Sequence, residues 1–299
     1  MEKRYQSLSL FEFQKMFPDD QSCMEYLAKL KWPEGFTCEK CKHSKYCKGK
    51  LKQTRQCTSC GYQGTPTSGT MFHKVKFPLL KAFYILYFMS TNKKGISSTE
   101  LSRKLNLRQK TCWLFRKKVV QSMKSSKRYP LVGTIEIDEM VVGQQEEEVV
   151  GRANKKKKLV IIGIEKKGKG VSRMYARVVT DASEESFKLF FEEYIDSEAN
   201  IRTDGWATYQ TFMDKYPNLK QEKSEKKGKN FKDMHRIIML FKAWLRGTHH
   251  SVMHLQDYLD EYAYRFNRSF MKENIFDNLI NRAVNLSPVS RKSMLNIID

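Results

Sequence analysis

Residues 133–143 read GTIEIDEMVVG, followed at 155–170 by KKKKLVIIGIEKKGKG and at 171–180 by VSRMYARVVT. From Gly133 to Arg177 the texture alternates as strands do, and KKGKG supplies a tight turn. A three-strand antiparallel meander is expected. Downstream, EESFKLFFEEYI spaces Phe187, Phe190, Phe191 and Tyr194 as a helix does, ANIRTDG is a short strand, and WATYQTFMDKY reads as another helix. The whole is a mixed α/β unit.

Two carboxylates stand out by position. Asp138 follows the Thr134-Ile135-Glu136-Ile137 alternation, and Asp204 closes the strand ANIRT before Gly205. Taken singly each has a bland reading, because Asp-Gly is a turn dipeptide and an Asp in IDE can be an edge charge. Taken together they mean more. A meander followed by helix and strand is the order of an RNase H-like fold, which sets the first strand beside the fourth and brings two distant carboxylates within reach of shared metal ions. Hard oxygen ligands of this kind suit divalent ions that activate water for phosphodiester displacement.

A third group is expected from DMHRIIMLFKAWLRGTHHSVMHLQDYLDEYAYRFNRS, a helix read as stopping at Gly247. His235, Lys242 and Arg246 fall on one face of it at 100° per residue. A histidine beside a nucleic-acid-facing surface is the plainer alternative to a ligand. The charge runs EEE at 146–148 and KKKK at 155–158 read as a solvated loop.

Toward the amino terminus, FTCEKCKHSKYCKGKLKQTRQCTSCGYQGT carries two C-x-x-C units, Cys38/Cys41 and Cys57/Cys60, separated by a fifteen-residue spacer. Four thiolates so spaced suit a tetrahedral structural Zn²⁺ in a zinc ribbon. Four buried or redox thiols are the alternative, and His43 or Cys47 within the spacer could replace a ligand. Cys23 and Cys112 sit in apolar helical patterns and read as core. Two short helices precede the ribbon, the second opened by Asp19 or Asp20. Beyond it, Gly95 to Val119 has a helix-turn-helix layout, with Asn106 at the break and Arg108, Gln109 and Lys110 leading the second helix, where base contacts are made. An ordinary three-helix packing unit fits the same pattern.

Composition sets the partner. The 299 residues carry 55 Lys plus Arg against 33 Asp plus Glu, a net charge of +22, with 40% hydrophobic residues. That excess points to a polyanion, nucleic acid first. With no apolar run of about 18 residues and no signal-like segment, a membrane partner is not expected and a soluble, cytoplasmic, nucleoid-associated protein is. The seven cysteines, four of them paired, suit a reducing compartment.

WPEGFTCEKC, CGYQGTPTSGTMFHK, IEIDEMVVG, RTDGWATY and, above all, HRIIMLFKAWLRGTHHSVMHLQDYLDEYAYRFNRS resemble the IS1595 family of insertion-sequence transposases, in its ISXO2-like branch. The resemblance runs from about residue 8 to 270. It implies an α+β multidomain protein: amino-terminal helices plus zinc ribbon (1–76), a helix-turn-helix-like DNA-binding domain (77–130), an RNase H-like DDE-type catalytic domain (131–270) and a helical tail (271–299). It further implies Asp138 and Asp204 as the first and second catalytic acids, His235 in the third position and Lys242 seven residues beyond. Asp138, Asp204 and His235 would hold catalytic Mg²⁺ or Mn²⁺, and Arg246 joins Arg108, Gln109 and Lys110 as a DNA contact. The expected partners are terminal inverted repeats and target DNA, with a homo-oligomer in the active complex. This chain departs from the general pattern in having histidine where many such enzymes have Glu, and in GQQEEEVVG, where relatives tend to have a second glycine. A non-catalytic DNA-binding regulator and an RNase H-like nuclease are the rival functions.

Overall fold

The computed structural model describes residues 8–49, 53–143, 157–249, 252–290 and Met294. Contacts group the chain into two compact units, Met1–Met123 with Met271–Asp299, and Lys124–Phe270. No helix among the described residues is long and apolar enough to cross a membrane.

In the first unit, Ser9 opens α1 (Leu10–Met16) through a capping box with Glu12, and Asp19 opens α2 (Asp20–Lys31) through one with Ser22. The ribbon follows as β1 (Tyr46–Lys48), β2 (Arg55–Cys57) and β3 (Gln63–Gly64), antiparallel in that order. Next comes α3 (Leu79–Thr91), so apolar that Ala82, Phe83, Ile85, Leu86 and Met89 are all buried without remainder. A helix apolar around its girth has to be central. α4 (Ser98–Leu105) and α5 (Gln109–Met123) complete the run. Asn106 ends α4 in the left-handed region at φ 47°, which asparagine tolerates, so the turn needs no glycine. Cys23 and Cys112 are buried on α2 and α5, as core residues.

The second unit opens with the expected meander: β4 (Thr134–Gly143), β5 (Lys157–Lys167) and β6 (Gly170–Val179). EEE, the start of KKKK and most of GQQEEEVVG lie outside the described residues. A crossover through α6 (Glu184–Tyr194) places β7 (Asn200–Thr203) parallel to β4 on the side away from β5. β8 (Leu219–Gln221), which the sequence reading did not anticipate, adds parallel to β7, giving the order β6-β5-β4-β7-β8. This is the RNase H-like arrangement. WATYQTFMDKY departs from expectation, forming a 3-10 turn over Ala207–Phe212 rather than an α-helix. Asp204 Oδ1 accepts from the Trp206 N–H at 3.1 Å just ahead of the turn, and Thr208 Oγ1 reaches out of it to donate to the Ala182 carbonyl at 2.6 Å. α7 (Lys232–Thr248) and α8 (Leu255–Asn267) follow. α7 passes through Gly247, which does not take the left-handed conformation that would stop it, and ends one residue later.

Alternation decides which face each strand residue serves. Ile135 and Ile137 of β4 and Ile201 of β7 join Phe187, Phe190 and Phe191 of α6 in one core. Met140 and Val142 of β4 join Met234, Ile237 and Phe241 of α7 and Leu259 of α8 in another. Gly163 of β5 permits the close approach on the first side, since a Cβ there would come within 3.2 Å of Leu131 and Phe190.

The chain then returns to the first unit with α9 (Ile275–Val284), within the segment expected as a tail. Phe276 is fully buried, its ring 5.5 Å from Phe13, 5.8 Å from Phe17 and 6.4 Å from Phe83. The Tyr26 hydroxyl donates to Asp277 at 2.7 Å, and the Met71 N–H to the Ala283 carbonyl at 3.1 Å.

Candidate functional site

Parallel pairing of β4 with β7 matches Glu136 to Arg202 and Ile137 to Thr203. Asp138 and Asp204 are the next residues after that last pair, Asp138 within β4 and Asp204 where β7 gives way to its following turn. The backbone N–H of Glu139 donates to Asp138 Oδ1 at 2.8 Å, and that of Trp206 to Asp204 Oδ1. Gln221 Nε2 braces the turn through the Trp206 carbonyl at 2.7 Å and the Asp204 carbonyl at 3.3 Å.

Tyr209 reports on these charges. Its ring is fully buried and its hydroxyl donates to Glu139 Oε2 at 2.8 Å. Burial first, then Glu139, Asp138 and Asp204, push the phenol well above its ordinary pKa. It therefore stays a proton donor, and its environment shows both aspartates within electrostatic reach of one hydroxyl. Neither Glu139 nor Tyr209 was singled out in the sequence, although Tyr209 lies five residues beyond Asp204 in RTDGWATY.

α7 lies against the face of β4 that carries Asp138. Lys242 is half-buried, and burial and neighbouring Arg246 hold its ammonium below the ordinary range, while the Asp138 carboxylate opposes that shift. Lys242 thus lies within electrostatic range of Asp138, and Arg246 is exposed. His235 lies seven residues earlier, about 10 Å along the helix axis at 1.5 Å per residue, and is exposed. Among the described residues, Asp138, Asp204 and His235 do not converge as one ligand cluster. A carboxylate midway along β4 and one just past the end of β7 still fit a hard divalent ion, whose remaining positions water and phosphate oxygens can fill.

One layer beneath, the Glu136 carboxylate is 1% exposed. It accepts from Arg202 Nη1 at 3.1 Å, with Lys166 Nζ at 3.7 Å. Arg202 also holds both Glu222 oxygens, at 2.9 and 2.8 Å, and donates to the Asn230 carbonyl at 3.2 Å. Lys166 reaches on to Asp233 in the first turn of α7. The strands bearing the aspartates and the helix bearing Lys242 are tied by one charge network.

In the first unit, Cys38, Cys41, Cys57 and Cys60 bring their sulfurs within 4.8 Å of one another, with Cys38 to Cys60 at 3.6 Å and Cys41 to Cys57 at 3.5 Å. Tetrahedral Zn–S bonds of about 2.3 Å place sulfurs roughly 3.8 Å apart, so the four fit structural zinc. Against burial, backbone N–H groups of Cys41 and Lys40 and the neighbouring thiols bring Cys38 down to about 7, while against the Tyr62 N–H, burial and the same thiols push Cys60 up to about 12. His43 bonds Thr58 at 3.2 Å, and Cys47 is exposed on β1 outside the cluster. Arg108, Gln109 and Lys110 are exposed at the start of α5, with Gln109 Nε2 donating to Ser98 Oγ at 2.8 Å.

Residues 130–267 match the family of the ISXO2-like transposase domain, and residues 18–63 match the transposase zinc-ribbon domain. No curated protein matches the chain. Among solved structures it is similar to a chain of a pre-cleavage Mos1 transpososome at 10% identity, over 67% of this chain and 77% of that one, with a TM-score of 0.28. It is also similar to a chain of the Mos1 strand transfer complex at 11% identity, over 70% and 79%, with a TM-score of 0.30. At such values the fold rests on the sheet order, not on these superpositions.

Proposed function

We propose, from the premise that the chain belongs to the IS1595 transposase family through its ISXO2-like transposase domain and its transposase zinc ribbon, that Asp138 and Asp204 are the catalytic acids of a DDE-type reaction on DNA. The observation that supports this is the register of β4 with β7, which pairs Ile137 with Thr203, the residues directly ahead of Asp138 and Asp204.

Asp138 and Asp204 would hold magnesium or manganese, which polarises a phosphoryl oxygen and makes water nucleophilic near neutral pH. Lys242, beside Asp138, holds a non-bridging phosphate oxygen as a point charge. In the first step water displaces the 3′ oxygen at the element's end. In the second, the freed 3′-hydroxyl displaces an oxygen of target DNA. His235, exposed on the same stripe as Lys242, would supply a third ligand. Phosphate contacts from the basic chain, with Arg108, Gln109, Lys110 and Arg246 among them, supply affinity, and the ribbon and helix-turn-helix hold the terminal inverted repeats. The active complex is a homo-oligomer, and the protein works on the nucleoid in the cytoplasm.

Strand transfer of a labelled element end into plasmid tests this. Asp138→Asn and Asp204→Asn are each expected to abolish cleavage while end binding stays near wild type. A variant cutting at wild-type rate places the site elsewhere; cutting without joining indicates a nuclease, and binding alone a regulator. For His235, His235→Glu is expected to shift the metal preference from Mn²⁺ toward Mg²⁺. An unchanged activity ratio removes it from the metal site.

A further inference from the structure

Arg55 of β2 is held in an unusual way. Its guanidinium carbon lies 4.3 Å from the ring centroid of Trp32 and 4.6 Å from that of Tyr46. Trp32 is itself fixed, 8% exposed and 5.7 Å from the Phe36 ring, and Gly64 lies opposite Arg55. Stacking uses the faces of a guanidinium and leaves its N–H edge for hydrogen bonds in the plane. Among the described residues that edge makes no hydrogen bond and no ion pair. It borders an open groove of about 410 Å³, which Glu25, Lys29, Trp32 and Gln53 also line.

The groove carries both signs of charge. Glu25 is steadied through Oε1, which accepts from Gln21 at 2.7 Å and from Gln53 at 3.3 Å. A carboxylate there repels a phosphate but accepts from an amino group. In the major groove a G·C pair presents guanine O6 and N7, which match an arginine fork, and the cytosine amino group, which matches a carboxylate. We infer that Arg55 and Glu25 read one G·C pair in duplex DNA, with Arg55 bidentate to guanine and its plane set by Trp32 and Tyr46.

This rests on the reading of DNA as partner. The zinc-loaded full chain, as wild type and as Arg55→Lys, is used to select from a randomised duplex pool, and affinity for the selected duplex is measured against salt. Wild type is expected to enrich one G·C pair. Arg55→Lys, which keeps the charge but loses the fork, is expected to lose about tenfold of the preference at that pair, with the log–log salt slope unchanged. Equal weakening on all sequences with a slope lower by about one makes Arg55 a phosphate contact and overturns the inference, as does no change at all. Glu25→Gln, at an exposed position, supplies the same readout at the same base pair should Arg55→Lys lose its zinc, and unaltered selectivity there is equally fatal. Wild type that binds duplex DNA without preference overturns the inference alone; wild type that binds no duplex overturns the reading beneath it.

Discussion

Arg202→Met tests the charge network under the aspartates. In the wild type Glu136, 1% exposed, has Arg202 at 3.1 Å and Lys166 at 3.7 Å. Losing one partner of a buried pair costs about 3–5 kcal/mol, because the remaining charge is left in a poor solvent. Lys166 retains part of the compensation, which puts the expected loss near the lower end, about 3 kcal/mol. The Arg202–Glu222 pair adds little, since the Glu222 side chain is 40% exposed. At a urea m-value of about 2 kcal/mol/M, that loss lowers the midpoint by about 1.5 M. Urea unfolding is followed by hydrogen exchange of the β4 peptide, so that the second unit is read by itself. The deciding measurement is Glu136→Gln combined with Arg202→Met. Removing the stranded charge is expected to restore about 2 kcal/mol, a coupling within the range for contacting residues. If the double variant is no more stable than Arg202→Met, the cost comes from lost packing and the reasoning fails.

Three further outcomes are expected. Chelation of zinc is expected to unfold the ribbon, whose small sheet has little apolar area of its own, and metal analysis is expected to find about one zinc per chain; freshly reduced protein without zinc refutes it. Burial raises Asp260 from 3.8 to about 6, so its contribution to stability is present below about pH 4 and lost as pH rises through 6. Asp260→Asn is therefore expected to be more stable than wild type at pH 7, by at most about 3 kcal/mol, and no different at pH 4; an equal gain at both pH values counts against it. Phe276→Ala is expected to destabilise the first unit by about 3–5 kcal/mol, read by exchange of the α3 peptide, and a loss under 1 kcal/mol contradicts its place in that core.

The sequence was most legible where chemistry and period coincide. Cysteine spacing identified the four sulfurs that converge, and alternation in IEIDEMVVG identified β4. Glu136 was hidden by the same alternation. A period of two suggests one wet face, but helices cover both faces of this sheet, so a charge in an outward-looking position is buried and had to find Arg202, far away in sequence. β8 escaped notice because three residues, Leu219–Gln221, are too few to show a period. WATYQTFMDKY has helical spacing, but only a 3-10 turn forms, with Thr208 tied to the Ala182 carbonyl on a distant segment and Asp204 to the Trp206 N–H. Ties of this kind depend on where the rest of the unit places its partners.

The late position of α9 has a consequence for biosynthesis. Phe13, Phe17 and Phe83 are translated early, yet Phe276, which packs among them, leaves the ribosome only after the whole second unit has been made. Until then the earlier rings lack a neighbour, and a nascent chain stalled before α9 presents them as an adhesive apolar surface. Vectorial synthesis thus completes the amino-terminal core after the unit that follows it, so a premature stop just before α9 is a lesion in the first-made part of the protein.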